Sequence, residues 1–147
     1  MRLQVADGST FHETLAAHSG RVVLVDFWAT WCLPCRKQFP HTVELFRELG
    51  PKGLAVISVS LDEAEAEAAA LAFLQEAGAS FDNLISRFGV STRSAEEFGI
   101  RGDVPFYQLY DRTGKLRYQL SSEPDGLEHG QPLTQLDQRV RKLLEEG

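Results

Sequence analysis

A run of four β-favouring apolar residues at positions 22–25 constrains the fold of this chain more than any other stretch. Such a run is typical of a strand buried on both faces in the middle of a parallel sheet. Cys32 and Cys35 follow just past its carboxyl end, where an open α/β sheet places its functional site, and residues 36–49 have the pattern of a helix. Because a helix N-terminus stabilises a thiolate, we expect Cys32 to be the more acidic thiol.

The rest of the pattern predicts an α/β fold in which helices cover both faces of a central mixed sheet. A second parallel strand at residues 54–60 completes a right-handed βαβ unit. Two β-rich runs joined by a turn containing glycine predict an antiparallel hairpin over residues 105–120. The other predicted elements are an edge strand at 3–5, a helix capped by Ser9 or Thr10 and ending at Ala17, a helix at 62–77, a strand at 81–86, a helix at 94–98 and a terminal helix starting near Thr134. At 147 residues, the chain is predicted to form a single domain over residues 1–147.

The charge balance and the cysteine count exclude several classes of function. A net charge of -6 argues against nucleic-acid binding, which requires clustered Lys and Arg. Both cysteines belong to one motif, so a separate structural disulfide is impossible within a monomer, and cysteine usage leaves the redox compartment open. No apolar run approaches membrane-spanning length, and residues 1–7 lack the apolar segment of a signal peptide. We predict a monomer without membrane contact, extracytoplasmic if a targeting or anchor segment has been removed and cytoplasmic otherwise.

The segment from Asp26 to Cys35, Asp-Phe-Trp-Ala-Thr-Trp-Cys-Leu-Pro-Cys, closely resembles the active-site segment of thioredoxin-like proteins and is most similar to the TlpA/ResA branch. The resemblance covers roughly residues 22–120. It implies a thioredoxin fold with the helix-plus-strand insertion of that branch. It also implies a thiol–disulfide oxidoreductase that acts on protein thiols and disulfides, has a redox partner protein and needs no cofactor. In this family the proline at the place of Pro105 is cis and faces the cysteine pair, although most X-Pro bonds are trans.

Cys32 is the predicted nucleophile and Cys35 the predicted resolving thiol. Disulfide exchange needs a thiolate that attacks and a second thiol close enough to displace the mixed disulfide, and Cys-x-x-Cys at a helix start supplies both. The same spacing occurs in zinc sites, but a structural zinc site requires four Cys or His ligands and this chain has two cysteines. The four histidines, His12, His18, His41 and His129, show no metal-ligand spacing with one another. We therefore predict no metal site.

Asp26 is the third predicted catalytic residue, because it places a carboxylate in an otherwise apolar strand. A buried carboxylate is costly if it is charged and unpaired, so we expect a raised pKa or a hydrogen-bonding partner. In thioredoxins the aspartate at this place assists proton transfer to the resolving cysteine, often beside a lysine on the neighbouring strand. The resemblance puts Ser58 at the place of that lysine. The alternative that Asp26 is merely a hydrogen-bonded residue at a strand end stays open.

Trp31, Pro34, Val104 and Pro105 are predicted to form the surface on which a partner docks. Trp31 directly precedes the nucleophile and is expected to be exposed, whereas Trp28 at the strand end is expected to pack in the core. The extended backbone of a substrate could pair with the main chain at Val104, in the manner of strand addition.

Three other functions are alternatives to disulfide exchange. A copper-handling protein of the same fold would use the two sulfurs and a distant histidine such as His129. A peroxidase would need Pro-x-x-x-Thr-x-x-Cys around its reactive cysteine, and this arrangement is absent. A binding module without redox activity is disfavoured by the intact cysteine pair.

Two further features receive no catalytic role from the sequence. The acids at positions 62, 63, 65 and 67 are interpreted as a solvated complement to the positive end of a helix dipole. The glycine- and proline-bearing stretch at 121–131 is predicted to be a long loop.

Overall fold

A computed structural model describes residues 1–147, and a seven-stranded sheet runs through its centre. In chain order the strands are β1 (Leu3–Ala6), β2 (Val22–Trp28), β3 (Leu54–Ser60), β4 (Asp82–Ser86), β5 (Phe106–Tyr110), β6 (Leu116–Ser121) and β7 (Gly130–Pro132). Their order across the sheet is β1-β4-β3-β2-β5-β6-β7. The first four of these lie parallel to one another, β5 runs antiparallel to both β2 and β6, and β7 runs parallel to β6. The sheet is therefore mixed, as predicted.

Five α-helices cover the two faces of the sheet: α1 (Gly8–Ala17), α2 (Leu33–Leu49), α3 (Glu67–Ala77), α4 (Thr92–Phe98) and α5 (Leu136–Glu145). The helices α1 and α4 pack on one face, against alternate residues of β2 that include Val23, Val25 and Phe27. The helices α2 and α5 pack on the opposite face, against Val22 and Leu24. All seven residues of β2 are buried, which confirms the prediction of a strand covered on both faces.

The segment between β3 and β5 supplies α3, β4 and α4. β4 lies between the N-terminal strand β1 and β3, so β1 reaches the sheet through β4. This arrangement confirms the predicted helix-plus-strand insertion. None of the helices combines the length and the apolar character that crossing a membrane requires.

The caps of two helices differ from the sequence prediction. Helix α1 begins at Gly8 because the side chain of Asp7, and not that of Ser9 or Thr10, caps it by accepting a hydrogen bond from the Thr10 N–H. The terminal helix begins at Leu136 after a 3₁₀ turn at Leu133–Gln135, and no side chain caps it. Which residue caps a helix depends on the backbone conformation of the turn before it, and residue type alone does not specify that conformation.

The end of the predicted 121–131 loop is a strand. β7 pairs with β6, and the Gln119 side chain donates a hydrogen bond of 2.9 Å to the Glu128 carbonyl just before it. A Cβ atom at Gly130 would meet the Pro124 carbonyl oxygen at 2.4 Å, so this close approach of two backbone segments requires glycine. The prediction of a loop was wrong for residues 130 and 131, because the pairing of an edge strand is decided by its partner strand.

Candidate active site

The two cysteines lie where the carboxyl end of β2 turns into α2. Cys32 is the N-cap residue of α2, and its Sγ accepts a hydrogen bond of 3.2 Å from the Cys35 N–H. The two sulfurs are joined in a disulfide. Cys32 is 6% exposed and Cys35 is 2% exposed, so Cys32 is the outer of the two sulfur-bearing residues. An attacking thiol in solution would therefore reach the disulfide from the side of Cys32.

The segment before β5 closes over the outer sulfur. The Val104–Pro105 peptide bond is cis, and the Val104 carbonyl oxygen lies 3.8 Å from Cys32 Sγ. This contact is not a hydrogen bond, because a sulfur in a disulfide carries no hydrogen. Val104 is half-buried and packs on the apolar cluster that contains both cysteines, and Pro105 is buried. The structure thus brings Val104 to the cysteine pair, and Pro105 follows it in the chain.

An exposed apolar rim surrounds the disulfide. Trp31 is 60% exposed and Leu33 is 56% exposed, and Pro34 is also exposed. Trp31, Val104 and the exposed Val90 are among the residues that line an open cavity of about 420 Å³. Large apolar side chains left in water beside a reactive group are typical of a docking surface.

Trp28, in contrast, belongs to the core. It is fully buried, and its ring lies 5.2 Å from the Phe39 ring and 5.0 Å from the Phe73 ring. These aromatic residues connect the end of β2 with α2 and α3. The side chain of Trp28 therefore supports the floor of the site and is not available to a partner.

Asp26 lies in the middle of the sheet, between Ser58 of β3 and Tyr107 of β5. It is 2% exposed, and burial raises the pKa of its carboxyl group to about 7, from an ordinary value of 3.8. The Thr42 hydroxyl donates a hydrogen bond of 2.8 Å to Asp26 Oδ2, which opposes this rise in pKa. The expectation of a raised pKa thus agrees with the structure, and Asp26 also has a hydrogen-bonding partner.

Ser58 lies beside Asp26 on the neighbouring strand, at the place that the resemblance assigned to it, but its hydrogen bond goes elsewhere. Its hydroxyl donates to the Asn83 side chain of β4 at 2.7 Å. The residue that contacts Asp26 is Thr42, which the sequence analysis missed. One signal could have found it: Cys35, Phe39 and Thr42 are spaced by four and three residues, so they share the buried face of α2.

Asp62 corrects the interpretation of the acidic run. It is 1% exposed, both of its oxygens accept the Thr30 N–H at 3.1 and 3.0 Å, and Oδ1 also accepts the Thr30 hydroxyl at 2.6 Å. The Ser60 hydroxyl donates to Oδ2 at 2.6 Å. Helix α3 begins five residues later, at Glu67, so Asp62 is not part of a solvated helix end. It instead ties the turn that leads to Cys32 to the carboxyl end of β3.

No group of three or more His, Cys, Asp or Glu side chains is placed so that it could hold a metal ion. His129 has an exposed ring, and its closest acidic contact is the neighbouring Glu128, at 3.6 Å. His129 is thus not part of such a group with the two sulfurs.

The sequence and the fold are similar to those of known proteins. A sequence model of the AhpC/TSA family matches residues 2–124. The thiol-disulfide oxidoreductase ResA of Bacillus thuringiensis (strain Al Hakam) is 32% identical over 104 residues, which cover 71% of this chain and 57% of that relative. The chain thus spans less than two thirds of the length of the curated relative it matches.

Two solved structures share the fold over most of both chains. One is a Chlorobium tepidum protein described provisionally as the thiol:disulfide interchange protein DsbE, with a TM-score of 0.68 and 30% identity. The other is the thioredoxin domain of a thiol-disulfide oxidoreductase from Bacteroides vulgatus, with a TM-score of 0.68 and 25% identity. Each comparison covers 88% of this chain and 84% of the solved one. The seven-stranded sheet with helices on both faces is therefore a thioredoxin fold.

Proposed function

This chain belongs to the AhpC/TSA family, and from that premise we propose that it is a thiol–disulfide oxidoreductase that exchanges disulfides with protein substrates through Cys32 and Cys35. One observation carries the proposal: the Cys32–Cys35 disulfide caps α2 beside an exposed apolar rim. The relatives named thiol-disulfide oxidoreductase support the same chemistry.

The exchange proceeds by two thiolate attacks. In the reducing direction, the Cys32 thiolate attacks one sulfur of a substrate disulfide, forms a mixed disulfide and releases the other substrate sulfur as a thiolate. The Cys35 thiolate then attacks Cys32 Sγ, which breaks the bond to the substrate and releases its second sulfur. The substrate gains two electrons and the cysteine pair becomes a disulfide. A dithiol substrate runs the same steps in reverse, and a redox partner protein restores the starting form of the pair.

The cysteine geometry supports this assignment of the two roles. Cys32 has the greater exposure, and the N-terminus of α2 stabilises negative charge on its sulfur. Cys35 lies one turn into the helix and is within disulfide reach of Cys32 alone. Cys32 is therefore the nucleophile and Cys35 the resolving thiol.

Substrate docks on the exposed rim at Trp31 and Pro34 and on the main chain at the half-buried Val104, which the buried Pro105 follows. The exposed Trp31 and Pro34 offer apolar contact area, and the Val104 carbonyl beside Cys32 offers a main-chain acceptor to an extended substrate segment. Proline at position 105 has no N–H, so no donor from that residue competes for the sulfur.

Asp26 is the proton acceptor for Cys35. Its carboxyl group has a pKa of about 7, which lies near the operating pH expected of an efficient general base. Cys35 lies on the same buried face of α2 as Thr42, whose hydroxyl donates to Asp26, so the sulfur and the hydrogen-bonding partner of the carboxyl group share one side of the helix.

Trapping of mixed disulfides tests the proposal. The Cys35→Ser variant keeps the nucleophile but lacks the resolving thiol, so it should accumulate disulfide-linked complexes with a protein substrate on a non-reducing gel. The Cys32→Ser variant is the matched control and should trap none. Equal trapping by both variants, or by neither, would contradict the assigned roles.

A further inference from the structure

The surroundings of Asp26 differ from those of a carboxyl group that is paired with a cation. Ser58 on β3 is hydrogen-bonded to Asn83, and on β5 the neighbour is the buried phenol of Tyr107. From α2 the neighbour is Thr42, which is fully buried. Burial raises the pKa of Tyr107 well above its ordinary value, and the negative charge of Asp26 adds to this rise. Hydroxyl groups thus face Asp26 from β3, β5 and α2. No charge of a Lys, Arg or His side chain contributes to the shift of its pKa.

In this site without a cation, the Thr42 hydroxyl donates a side-chain hydrogen bond to the carboxyl group. It lies 2.8 Å from Asp26 Oδ2, a good distance for an O–H donor. A hydrogen bond to an ionised acceptor is about twice as strong as one between neutral groups. The hydroxyl therefore favours the carboxylate over the carboxylic acid. Because Thr42 is shielded from solvent, water does not replace this hydrogen bond when a mutation removes the hydroxyl.

We propose that Thr42 is a positioning residue for the resolving step: its hydroxyl orients Asp26 Oδ2 and stabilises the carboxylate, which is the form able to accept the proton of Cys35. This inference rests on the proposed function. In the step itself, the proton leaves Cys35 Sγ for the Asp26 carboxylate, the Cys35 thiolate bonds to Cys32 Sγ, and the substrate sulfur departs with the electron pair of the broken S–S bond.

The first part of the test measures Asp26 in the oxidised protein, where neither cysteine titrates. Thr42→Val removes the hydroxyl at nearly constant shape, and Thr42→Ser retains it. We expect the titration midpoint of the Asp26 carboxyl carbon, followed by ¹³C NMR, to rise by roughly one pH unit in Thr42→Val, from the strength of one charge-assisted hydrogen bond. The serine variant should return the midpoint to that of the parent chain. Thr42→Ala serves as the deletion variant if the valine variant does not fold.

The second part follows the two steps separately with 5,5′-dithiobis(2-nitrobenzoate) and the reduced protein. The first release of thionitrobenzoate reports attack by Cys32, and the second reports resolution by Cys35. We expect the pH profile of the second release alone to move upward in Thr42→Val, by the same amount as the carboxyl midpoint, and to recover in Thr42→Ser. A purely structural role would leave the pH midpoint of that phase in place.

The outcomes separate this inference from the function it rests on. An unchanged Asp26 midpoint in Thr42→Val would overturn the role of Thr42, and so would a shifted midpoint with an unchanged second phase. If the parent chain itself shows no two-step release, it is the proposed function that fails, whatever the Asp26 titration shows.

Discussion

Replacing Asp26 by asparagine should stabilise the protein near neutral pH, and this gain should disappear as the pH falls. The carboxyl group is 2% exposed at the centre of the sheet, where ionisation is costly. Asparagine has almost the same shape and keeps an oxygen that can accept the Thr42 hydrogen bond. Its amide brings two donors without an assigned partner, a cost of about 1–3 kcal/mol that does not vary with pH. The pH-dependent part of the difference therefore isolates the ionisation of Asp26.

The magnitude follows from the two pKa values of the carboxyl group. The folded pKa is about 7 and the ordinary value is 3.8. Below the ordinary value both states are protonated and the group makes no contribution. Between the two values only the unfolded state ionises, so the stability of the parent chain falls by about 1.4 kcal/mol per pH unit relative to the variant. Above the folded pKa the loss levels off, at a total of about 4 kcal/mol.

Urea unfolding of the oxidised protein between about pH 4 and pH 8 measures this difference, since the two cysteines do not titrate in the disulfide form. The other carboxylates are common to both chains, so their contributions to the pH dependence of stability cancel in the difference. Asp125→Asn is the matched control because Asp125 is exposed, and its curve should follow that of the parent chain. A gap between Asp26→Asn and the parent chain that stays constant across this pH range would refute the argument that Asp26 is buried in its neutral form.

Three further predictions concern the support and the rim of the site. Asp62→Ala removes the acceptor of the half-buried Thr30 donors and of the buried Ser60 hydroxyl, and it should lower the free energy of unfolding by about 2–4 kcal/mol in urea denaturation. Asp62→Asn keeps an acceptor and should cost less; equal losses would contradict this reasoning. Phe39→Ala removes a fully buried ring that packs on Trp28 and Phe73, so it should lower the free energy of unfolding by about 3–5 kcal/mol in the same assay. A loss under about 1 kcal/mol would argue against tight packing of these rings. Trp31→Ala should lower kcat/KM for a protein disulfide about tenfold, because it removes an exposed docking side chain, and should leave the rate with a small-molecule disulfide unchanged. An equal fall for both substrates would show that Trp31 acts on the chemistry and not on docking.

The sequence was sufficient for the parts of the site that depend on neighbours along the chain. The apolar run of β2 predicts burial on both faces, and the cysteines follow it at a spacing that places Cys32 at the start of α2. A carboxylate at position 26 of such a strand is forced into the core, so its raised pKa could be expected as well. These inferences hold because strand and helix periodicity are local properties of the chain.

The partners of the two buried aspartates could only come from the tertiary structure. Thr42 reaches Asp26 because α2 covers the face of the sheet to which that carboxyl group points, and Asp62 reaches Thr30 because β3 lies beside β2 in parallel register. These pairs are 16 and 32 residues apart in the chain. A buried polar group must find a hydrogen-bonding partner, but which residue serves is decided by the packing of whole elements. For this reason the sequence by itself determined the fold class, the redox pair and the burial of Asp26, while tertiary packing decided which hydroxyl contacts Asp26 and which carboxylate holds the turn before Cys32.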